Sequence, residues 1–229
     1  MSVENKPSHE NYSVAIIKPD AFRDYLSEMI ISDFERAGLS VIFRKEMILN
    51  ESKAKAIYSE HQTPESYHFG VKSLLLEDRL GNRLPCMLLI LQSNTGNNAL
   101  QETQKAKGRT DKDGIRAKYR KYFWYELEEM GYSGDELKLM LSRNRLHVPA
   151  NHEAAARTLT ILLTEKDIES IRSRAPEFGS WIKSFMINNV YSLAPLRNPQ
   201  KDTTITFVCN KTLMYKIINS SRKFQLVEW

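Results

Sequence analysis

The sequence predicts an α+β fold in which helices pack on an antiparallel sheet. Two short apolar runs, Tyr12–Ile17 and Cys86–Leu91, have the length and composition of buried strands. Other stretches carry apolar residues at helical spacing, and some of them begin at an asparagine suited to cap a helix. The resulting order of elements is βαββαβ, which is the pattern of the ferredoxin-like sandwich.

The N-terminal half of the chain supplies the first strand, helix and second strand of this pattern. Because Pro19 cannot donate to a strand ladder, the strand Tyr12–Ile17 ends in a turn at Lys18–Asp20. A single helix is predicted over Phe22–Ala37, and Gly38 ends it. The further predicted elements of this half are a strand over Leu39–Leu49, a helix capped by Asn50 that reaches about His61, and a helix over Thr63–Leu76.

The second half contains an interruption of the pattern. A helix over Asn97–Lys107 is closed by Gly108, and residues 117–142 then predict an inserted hairpin of two helical pieces separated at Gly131–Gly134. The predicted elements beyond the insertion are a short strand over Arg143–His147, a helix capped by Asn151 that runs to Leu163, an amphipathic stretch over Ile168–Phe185, a strand over Thr203–Cys209 and a helix over Lys211–Lys223.

This order divides the 229 residues into three parts. Residues 1–11 form a polar arm, and residues 12–167 form the main domain with the insertion at about 117–142. Residues 168–229 form a C-terminal extension that is too short to count as an independent domain. Its large aromatic side chains predict that it packs on the core or on a neighbouring subunit.

The composition excludes several classes of protein. Charged residues make up 27% of the chain and hydrophobic residues 41%, which is typical of a folded globular protein. Cys86 and Cys209 cannot form a disulfide framework and lack zinc-site spacing, so each is interpreted as a buried small hydrophobe. There is no apolar run of 18 residues and no signal-peptide pattern, so we expect a cytoplasmic protein without membrane contact.

The net charge of +5 is mild and suits a small anionic ligand, but it suits a featureless basic surface equally well. Basic and aromatic residues alternate between Lys118 and Tyr125, but acidic residues follow at once between Glu126 and Glu136. The sustained basic stripe that nucleic-acid binding requires is therefore absent from the sequence. We expect no nucleic-acid partner.

Five short motifs occur together in one order, and their side chains are of the types that phosphoryl transfer could use. Each is weak by itself, since a histidine at a strand end is more often structural than catalytic. Together they offer a neutral imidazole as nucleophile, and lysine and arginine to hold the charge of a phosphoryl group. The motifs are Ile16-Ile17-Lys18-Pro19-Asp20, Tyr58-Ser59-Glu60-His61, one loop that carries Gly108-Arg109-Thr110 and Gly114-Ile115-Arg116, Arg143-Asn144-Arg145-Leu146-His147, and the helix that begins with residues 151–158 just after it.

In order and spacing, these motifs resemble those of the nucleoside diphosphate kinases over about Tyr12–Asp167. The resemblance implies a ping-pong transfer of the γ-phosphoryl group of ATP, or of another nucleoside triphosphate, to a nucleoside diphosphate or a similar acceptor. It implies Mg²⁺ held mainly by the nucleotide phosphates and no dedicated metal site in the protein. It also implies a homo-oligomer, either a dimer or a larger assembly.

The same resemblance implies roles for individual residues. His147 would be the phosphorylated nucleophile, with Lys18 and Tyr58 beside it in the catalytic group. Tyr67 would stack on the base, since an aromatic face offers non-selective stacking. The residues implied to bind the nucleotide are Lys18, Tyr67, Thr110, Arg116 and Asn144.

Several positions depart from the family pattern. An arginine expected in the helix before Gly108 is replaced by Gln104, and the carboxylate that orients the histidine is replaced by Thr158. The Gly-Ser-Asp that follows the histidine is here Val148–Ala150. The basic residues that are candidates to replace the missing charge are Lys105, Lys107, Arg109 and Arg120.

These departures leave alternative functions open. The favoured hypothesis is a phosphotransferase of specialised or reduced activity, in which the insertion is a lid over the nucleotide. The alternative is a catalytically weakened module that binds nucleotides for regulation or assembly. A third hypothesis, a plain interaction domain of the same fold, leaves the order of the motifs unexplained. Whichever hypothesis holds, the insertion has an alternative to the lid, namely an extra helical hairpin packed by its aromatic residues.

Overall fold

The computed structural model describes residues 8–60, 63–109, 111–190, 205–209, 213–217 and 224–227. The chain divides into two units, residues 1–183 and 184–229. Within the described ranges, no helix is both long enough and apolar enough to cross a bilayer. The predicted division into an arm, a main domain and an extension stays a prediction.

Four strands form an antiparallel sheet in the larger unit. They are β1 (Tyr12–Ile17), β2 (Leu39–Met47), β3 (Cys86–Ser93) and β4 (Leu146–His147). Their order across the sheet is β2-β3-β1-β4, which together with the helices confirms the predicted ferredoxin-like α+β class. Every residue of the central strand β1 is buried, which explains its continuous apolar run.

Helices lie between and after these strands, and short 3₁₀ turns cover Ser8–Asn11 and Tyr58–Glu60. Of the helices, α7 and α8 lie in the predicted insertion and pack against each other. The helices are α1 (Pro19–Arg23), α2 (Ser27–Arg36), α3 (Glu51–Ile57), α4 (Pro64–Leu74), α5 (Ala99–Lys107), α6 (Gly114–Lys118), α7 (Trp124–Glu129), α8 (Gly134–Ser142), α9 (His152–Leu162), α10 (Glu165–Arg174) and α11 (Pro176–Val190).

Side-chain caps determine where several of these helices begin. The Asn50 side chain accepts a hydrogen bond from the Lys53 backbone N–H at 2.9 Å, and Asn151 accepts one from Ala154 at 2.8 Å. Both caps were predicted, and both are confirmed. The prediction succeeds because a cap satisfies backbone groups within its own first turn and needs no distant partner.

The helix predicted over Phe22–Ala37 is wrong as a single element, because the chain breaks it into α1 and α2. Tyr25 lies in the break and adopts a left-handed backbone conformation with φ 57°. The break places the carboxylate of Asp24 at 2.8 Å from the guanidinium of Arg145. A contact with a residue so distant in the chain cannot be deduced from helical spacing.

The core lies between the sheet and the helices α2 and α5. Ile17 and Leu89 point into it from the sheet, and Phe34 enters it from α2; all three are fully buried. On the opposite face of β1, Val14 and Ile16 are also fully buried, and α9 packs against this strand. The sheet is therefore covered on both faces and provides a rigid support for residues at the strand ends.

Cys86 is buried at the start of β3, as predicted from its sequence context. Burial raises the pKa of its thiol to about 12, so the group behaves as a small hydrophobe. The side chain of Cys209 lies outside the described residues.

The smaller unit contains a separate antiparallel sheet of three strands. These are β5 (Ile205–Cys209), β6 (Leu213–Ile217) and β7 (Phe224–Val227), with β6 between the other two. The strand predicted at Thr203–Cys209 is confirmed, but the helix predicted over Lys211–Lys223 is wrong. The residues of β6 pair with a strand on each side, and this pairing outweighs the local helical spacing.

A buried ionic cluster joins the first helix to the last strand of the main sheet. The Arg145 guanidinium donates to carboxylate oxygens of Asp24 at 2.8 Å and Asp20 at 3.4 Å, and to the Tyr119 carbonyl at 2.7 Å. The backbone carbonyl of Arg145 accepts a hydrogen bond from the Lys18 N–H at 2.8 Å. Arg145 pays for this position with a left-handed φ of 72°, which costs about 1–2 kcal/mol.

We expect Arg145→Met to lower the free energy of unfolding by about 3–5 kcal/mol, because the substitution removes the cation that compensates the buried Asp20 carboxylate. Urea unfolding followed by circular dichroism measures the loss. The control is Arg44→Met, which removes an exposed ion pair with Glu28 and should change the stability by less than about 1 kcal/mol. Equal losses in the two variants would contradict this role for Arg145.

Candidate active site

A cleft of about 570 Å³ lies beside the paired ends of β1 and β4. Lys18 after β1, and Asn144 and His147 at β4, line it and come from predicted motifs. The predicted site residues that line the cleft are Lys18, Tyr58, Arg116, Asn144 and His147, and Gln104 and Lys107 line it as well.

The sheet register brings Lys18 and His147 together. Ile16 pairs with His147, and Ile17 pairs with Leu146, so the residue after β1 lies next to the catalytic motif. Pro19 occupies the first turn of α1, where its missing N–H costs no hydrogen bond. The side chains of Lys18 and His147 are then almost fully buried, with exposed fractions of 2% and 4%.

The Lys18 amine is held by two acceptors in the second motif. Its Nζ donates to the Ser142 carbonyl and to Asn144 Oδ1, each at 3.0 Å. Burial, and next the charge of Arg116, lower the pKa of Lys18 to about 7, although Asp20 acts in the opposite direction. An anion entering the cleft would favour the protonated form and so increase the positive charge available to it.

Tyr58 forms one wall beside His147. The centroids of the two rings are 4.7 Å apart, with the planes inclined by 51°. Lys18 Nζ lies 5.8 Å from the Tyr58 centroid, within cation–π range when protonated. Gly70 of α4 permits this arrangement, because a Cβ atom at that position would overlap the Tyr58 ring.

Arg116 reaches the cleft because two glycines bring α5 and α6 close together. A Cβ atom on Gly108 would overlap the Asp113 carbonyl oxygen, and a Cβ atom on Gly114 would lie 2.7 Å from the Gly108 backbone. The Arg116 guanidinium donates to the Leu146 carbonyl from Nε at 3.2 Å and from a terminal nitrogen at 2.5 Å. Burial lowers the pKa of Arg116, and the site thus holds a buried guanidinium beside the histidine motif.

The C-terminal turn of α5 adds Gln104 and Lys107 to the cleft. Gln104 Nε2 donates to the carbonyls of Pro149 at 2.6 Å and Val148 at 3.4 Å, and its Oε1 accepts from Lys107 Nζ. Burial, followed by the nearby charge of Arg116, lowers the pKa of Lys107 to about 8.

The other candidate replacement cations lie away from the cleft. Lys105 is exposed, and Arg109 is exposed and paired with Asp111 at 3.2 Å. Arg120 lies over the Phe123 ring, 3.3 Å from its centroid, and lines a separate small cavity. The structure therefore brings only Lys107 of the four candidates to the cleft.

The other predicted site residues are not among the described residues that line the cleft. Tyr67 is half-buried on α4, whereas Ser66 and Phe69 of the same helix line the cleft. Thr158 is buried on α9. Thr110 and His61 lie outside the described residues, so their predicted contributions stay predictions.

Arg145 and Ser142 are the contributors that the sequence reasoning missed. Arg145 holds α1 against the histidine motif, and the Ser142 carbonyl orients Lys18. A charged residue inside the predicted strand Arg143–His147, together with the acidic Asp20 of the turn motif, is the signal that identifies Arg145 in retrospect. No sequence signal identifies a backbone carbonyl such as that of Ser142.

Comparison with known proteins agrees with this geometry. The family model described as nucleoside diphosphate kinase matches residues 11–168, more than half of the chain. The nucleoside diphosphate kinase of Gluconobacter oxydans is 30% identical over 125 residues, covering 54% of this chain and 82% of the relative. The nucleoside diphosphate kinase of Hydrogenovibrio crunogenus is 25% identical over 156 residues, covering 68% of this chain and 94% of the relative.

Among solved structures, a Borrelia burgdorferi nucleoside-diphosphate kinase with bound vanadate and ADP, a transition-state mimic, matches with a TM-score of 0.51. The two chains are 23% identical, and the match covers 68% of this chain and 88% of the other, which supports the fold. The fold and the matched motifs thus define an α+β phosphotransferase. The chain belongs to the nucleoside diphosphate kinase family and is a nucleoside diphosphate kinase-like enzyme, as the motifs predicted.

The lowered pKa of Lys18 predicts how stability depends on pH. Between about pH 7 and 10 the unfolded chain holds a proton that folded Lys18 has lost, so this group makes the free energy of unfolding rise with pH. From pH 7 to 9 we expect the wild type to gain roughly 2 kcal/mol relative to Lys18→Met. Urea unfolding at several pH values measures both proteins, with exposed Lys105→Met as control. Parallel pH profiles for wild type and Lys18→Met would refute the prediction.

Proposed function

We propose that the chain transfers the γ-phosphoryl group of a nucleoside triphosphate to a ring nitrogen of His147, and then to a nucleoside diphosphate or a similar acceptor. The observation that carries the proposal is the position of His147 in one cleft with Lys18 and Arg116. A phosphoryl group spreads charge over its oxygens, and these two cations provide fixed positive charge around the histidine.

The chemical step needs a nucleophile, charge stabilisation and an exit for the leaving group. A lone pair of the His147 ring attacks the γ-phosphorus, the bond from that phosphorus to the β,γ-bridging oxygen breaks, and the nucleoside diphosphate leaves with the electron pair. Lys18 and Asn144 line the same cleft as the histidine, and Arg116 donates to the carbonyl of Leu146. In the bound state, these three side chains contact the phosphate groups or the ribose of the nucleotide. The second half-reaction reverses these bond changes on the acceptor.

Mg²⁺ enters this proposal as part of the nucleotide substrate. The described residues that line the cleft include no carboxylate, and the described chain has no grouping of three or more histidine, cysteine or acidic side chains suited to a metal. This donor set fits an ion held mainly by phosphate oxygens and water. When bound, the ion neutralises phosphate charge, and Lys18 and Arg116 supply the remainder.

The proposed activity is specialised or reduced relative to the family pattern. Thr158 replaces the carboxylate that orients the histidine, and Pro149 replaces the serine beside it. Loss of an orienting carboxylate in other catalytic histidine arrangements costs orders of magnitude in rate. The alternative, a module that binds nucleotides with little turnover, is separated from the enzyme by the labelling experiment below.

Incubation with γ-labelled ATP and Mg²⁺ should label the protein with a phosphate that is acid-labile and alkali-stable, as a phosphorus–nitrogen bond requires. His147→Ala should lose the label completely, because it removes the nucleophile. His68→Ala is the matched control, since His68 is an exposed histidine on α4 and should keep the label.

Chasing the labelled protein with different nucleoside diphosphates then identifies the acceptor. Loss of the label from the protein, with labelled triphosphate as product, supports the proposed reaction. Nucleotide binding without any labelling would contradict the proposal and favour the binding module.

We also propose that the protein is a homo-oligomer, a dimer or larger, and that it is cytoplasmic. Family membership supports the homo-oligomer. Light scattering coupled to size-exclusion chromatography determines the mass in solution and tests the assembly directly.

A further inference from the structure

The last turn of α5 presents Gln104 and Lys107 on one face, because residues three apart on a helix are neighbours. The two side chains are joined by a hydrogen bond from Lys107 Nζ to Gln104 Oε1. At its other end, Gln104 donates to the carbonyls of Pro149 and Val148, in the loop that follows His147. A continuous chain of contacts therefore runs from the Lys107 ammonium to the segment next to the nucleophile.

The charge on Lys107 has no acidic counterpart in the cleft. The described lining residues include Lys18, Lys107 and Arg116 but neither Asp nor Glu. Arg116 is the charged group that acts most on Lys107, and the two repel each other. Nearby Asp20 is engaged by Arg145 and does not line the cleft. Three cations gathered without a carboxylate form a site for a multiply charged anion.

Gln104 and Lys107 have different roles in the cleft. The neutral amide of Gln104 is hydrogen-bonded at both atoms: its nitrogen donates to two backbone carbonyls, and its oxygen accepts from Lys107. The Lys107 ammonium has three N–H donors, of which Gln104 accepts one. Among the described residues no second acceptor for Lys107 is found, so its other two donors can bind oxygen atoms of a ligand in the cleft.

We propose that Lys107 binds a phosphate group of the nucleotide, and that Gln104 is a positioning residue that holds both Lys107 and the loop after His147. The inference rests on the proposed function and adds a specific phosphate-binding residue to it. It also selects Lys107 from the four basic residues that the sequence offered as replacement charges.

Protonation provides a signature of this role. Free of ligand, Lys107 has a pKa of about 8 and Lys18 one of about 7, so both are partly neutral at pH 8. A bound phosphate raises both pKa values, because it favours the charged forms. Binding of a nucleoside diphosphate at pH 8 should therefore take up protons, and its affinity should fall between pH 7 and 9.

The test is titration calorimetry of ADP and of AMP, in the presence of Mg²⁺, at pH 8 in buffers of different ionisation enthalpy. Lys107→Gln should weaken ADP binding by about tenfold, reduce the ADP-to-AMP affinity ratio and lower the proton uptake. Lys107→Arg should restore the ADP affinity but not the proton uptake, because arginine stays charged. Lys105→Gln, an exposed residue on the same helix, should behave as the wild type.

Gln104→Glu tests the positioning role separately. A carboxylate beside Lys107 would compensate its charge, so the variant should bind ADP more weakly and take up fewer protons, although Lys107 itself is unchanged. Gln104→Met, which removes the hydrogen bonds without adding charge, should lower the rate of His147 labelling at saturating ATP, because the 148–149 loop is released.

The outcomes distinguish this inference from the proposed function. Equal ADP affinity and proton uptake in Lys107→Gln and Lys105→Gln would overturn the inference, whatever the labelling result. Loss of ADP affinity in Lys107→Gln, together with an absence of any phosphohistidine in the wild type, would support the inference and overturn the phosphotransfer. Thermal melts of each variant verify that it is folded, and Lys107→Arg carries the test if the glutamine variant is not.

Discussion

The buried guanidinium of Arg145 is the interaction on which the geometry of the site depends. The strand β4 contributes only Leu146 and His147 to the sheet, and so few ladder bonds fix the position of a strand weakly. Arg145 supplies the missing constraint by bonding Asp20 and Asp24 through its side chain and Lys18 through its carbonyl. The two segments that carry the lysine and the histidine are thereby held in register across more than a hundred residues of sequence.

The inserted segment takes part in the same constraint at both of its ends. At its start, the Tyr119 carbonyl accepts a hydrogen bond from Arg145, and at its end the Ser142 carbonyl accepts one from Lys18. Arg145 and Lys18 are both buried cations, and each needs a hydrogen-bond acceptor to offset the cost of leaving water. The insertion is therefore part of the structural support of the site, in addition to any role that it has as a lid over the nucleotide.

Local features of the chain were predictable from the sequence, whereas features that depend on distant contacts were not. The Asn50 and Asn151 caps and the strand over Cys86–Leu91 follow from interactions within a few residues, and each was found. The break at Tyr25 and the strand β6 depend on partners elsewhere, and both were missed. Local and distant contacts differ in the same way in the site. The motifs predicted which chemical groups line the cleft. They did not predict that Arg145 would connect the segments that carry these groups, nor that Lys107 would be the additional cation in the cleft.

The concentration of positive charge in the cleft explains why stability and ligand binding should be coupled in this protein. Lys18, Lys107 and Arg116 are held close together, largely out of water and without a carboxylate lining the cleft, so the ligand-free state is destabilised by their mutual repulsion and lost hydration. Partial deprotonation of the two lysines relieves this cost, and a bound polyphosphate removes it by supplying the missing negative charge. Arg145 differs from these three cations. Its charge is compensated by Asp20 and Asp24 and serves the fold, whereas the uncompensated charges remain available to a ligand. A cation with acidic partners, such as Arg145, therefore stabilises the fold around the site, whereas the cations without them can bind the ligand.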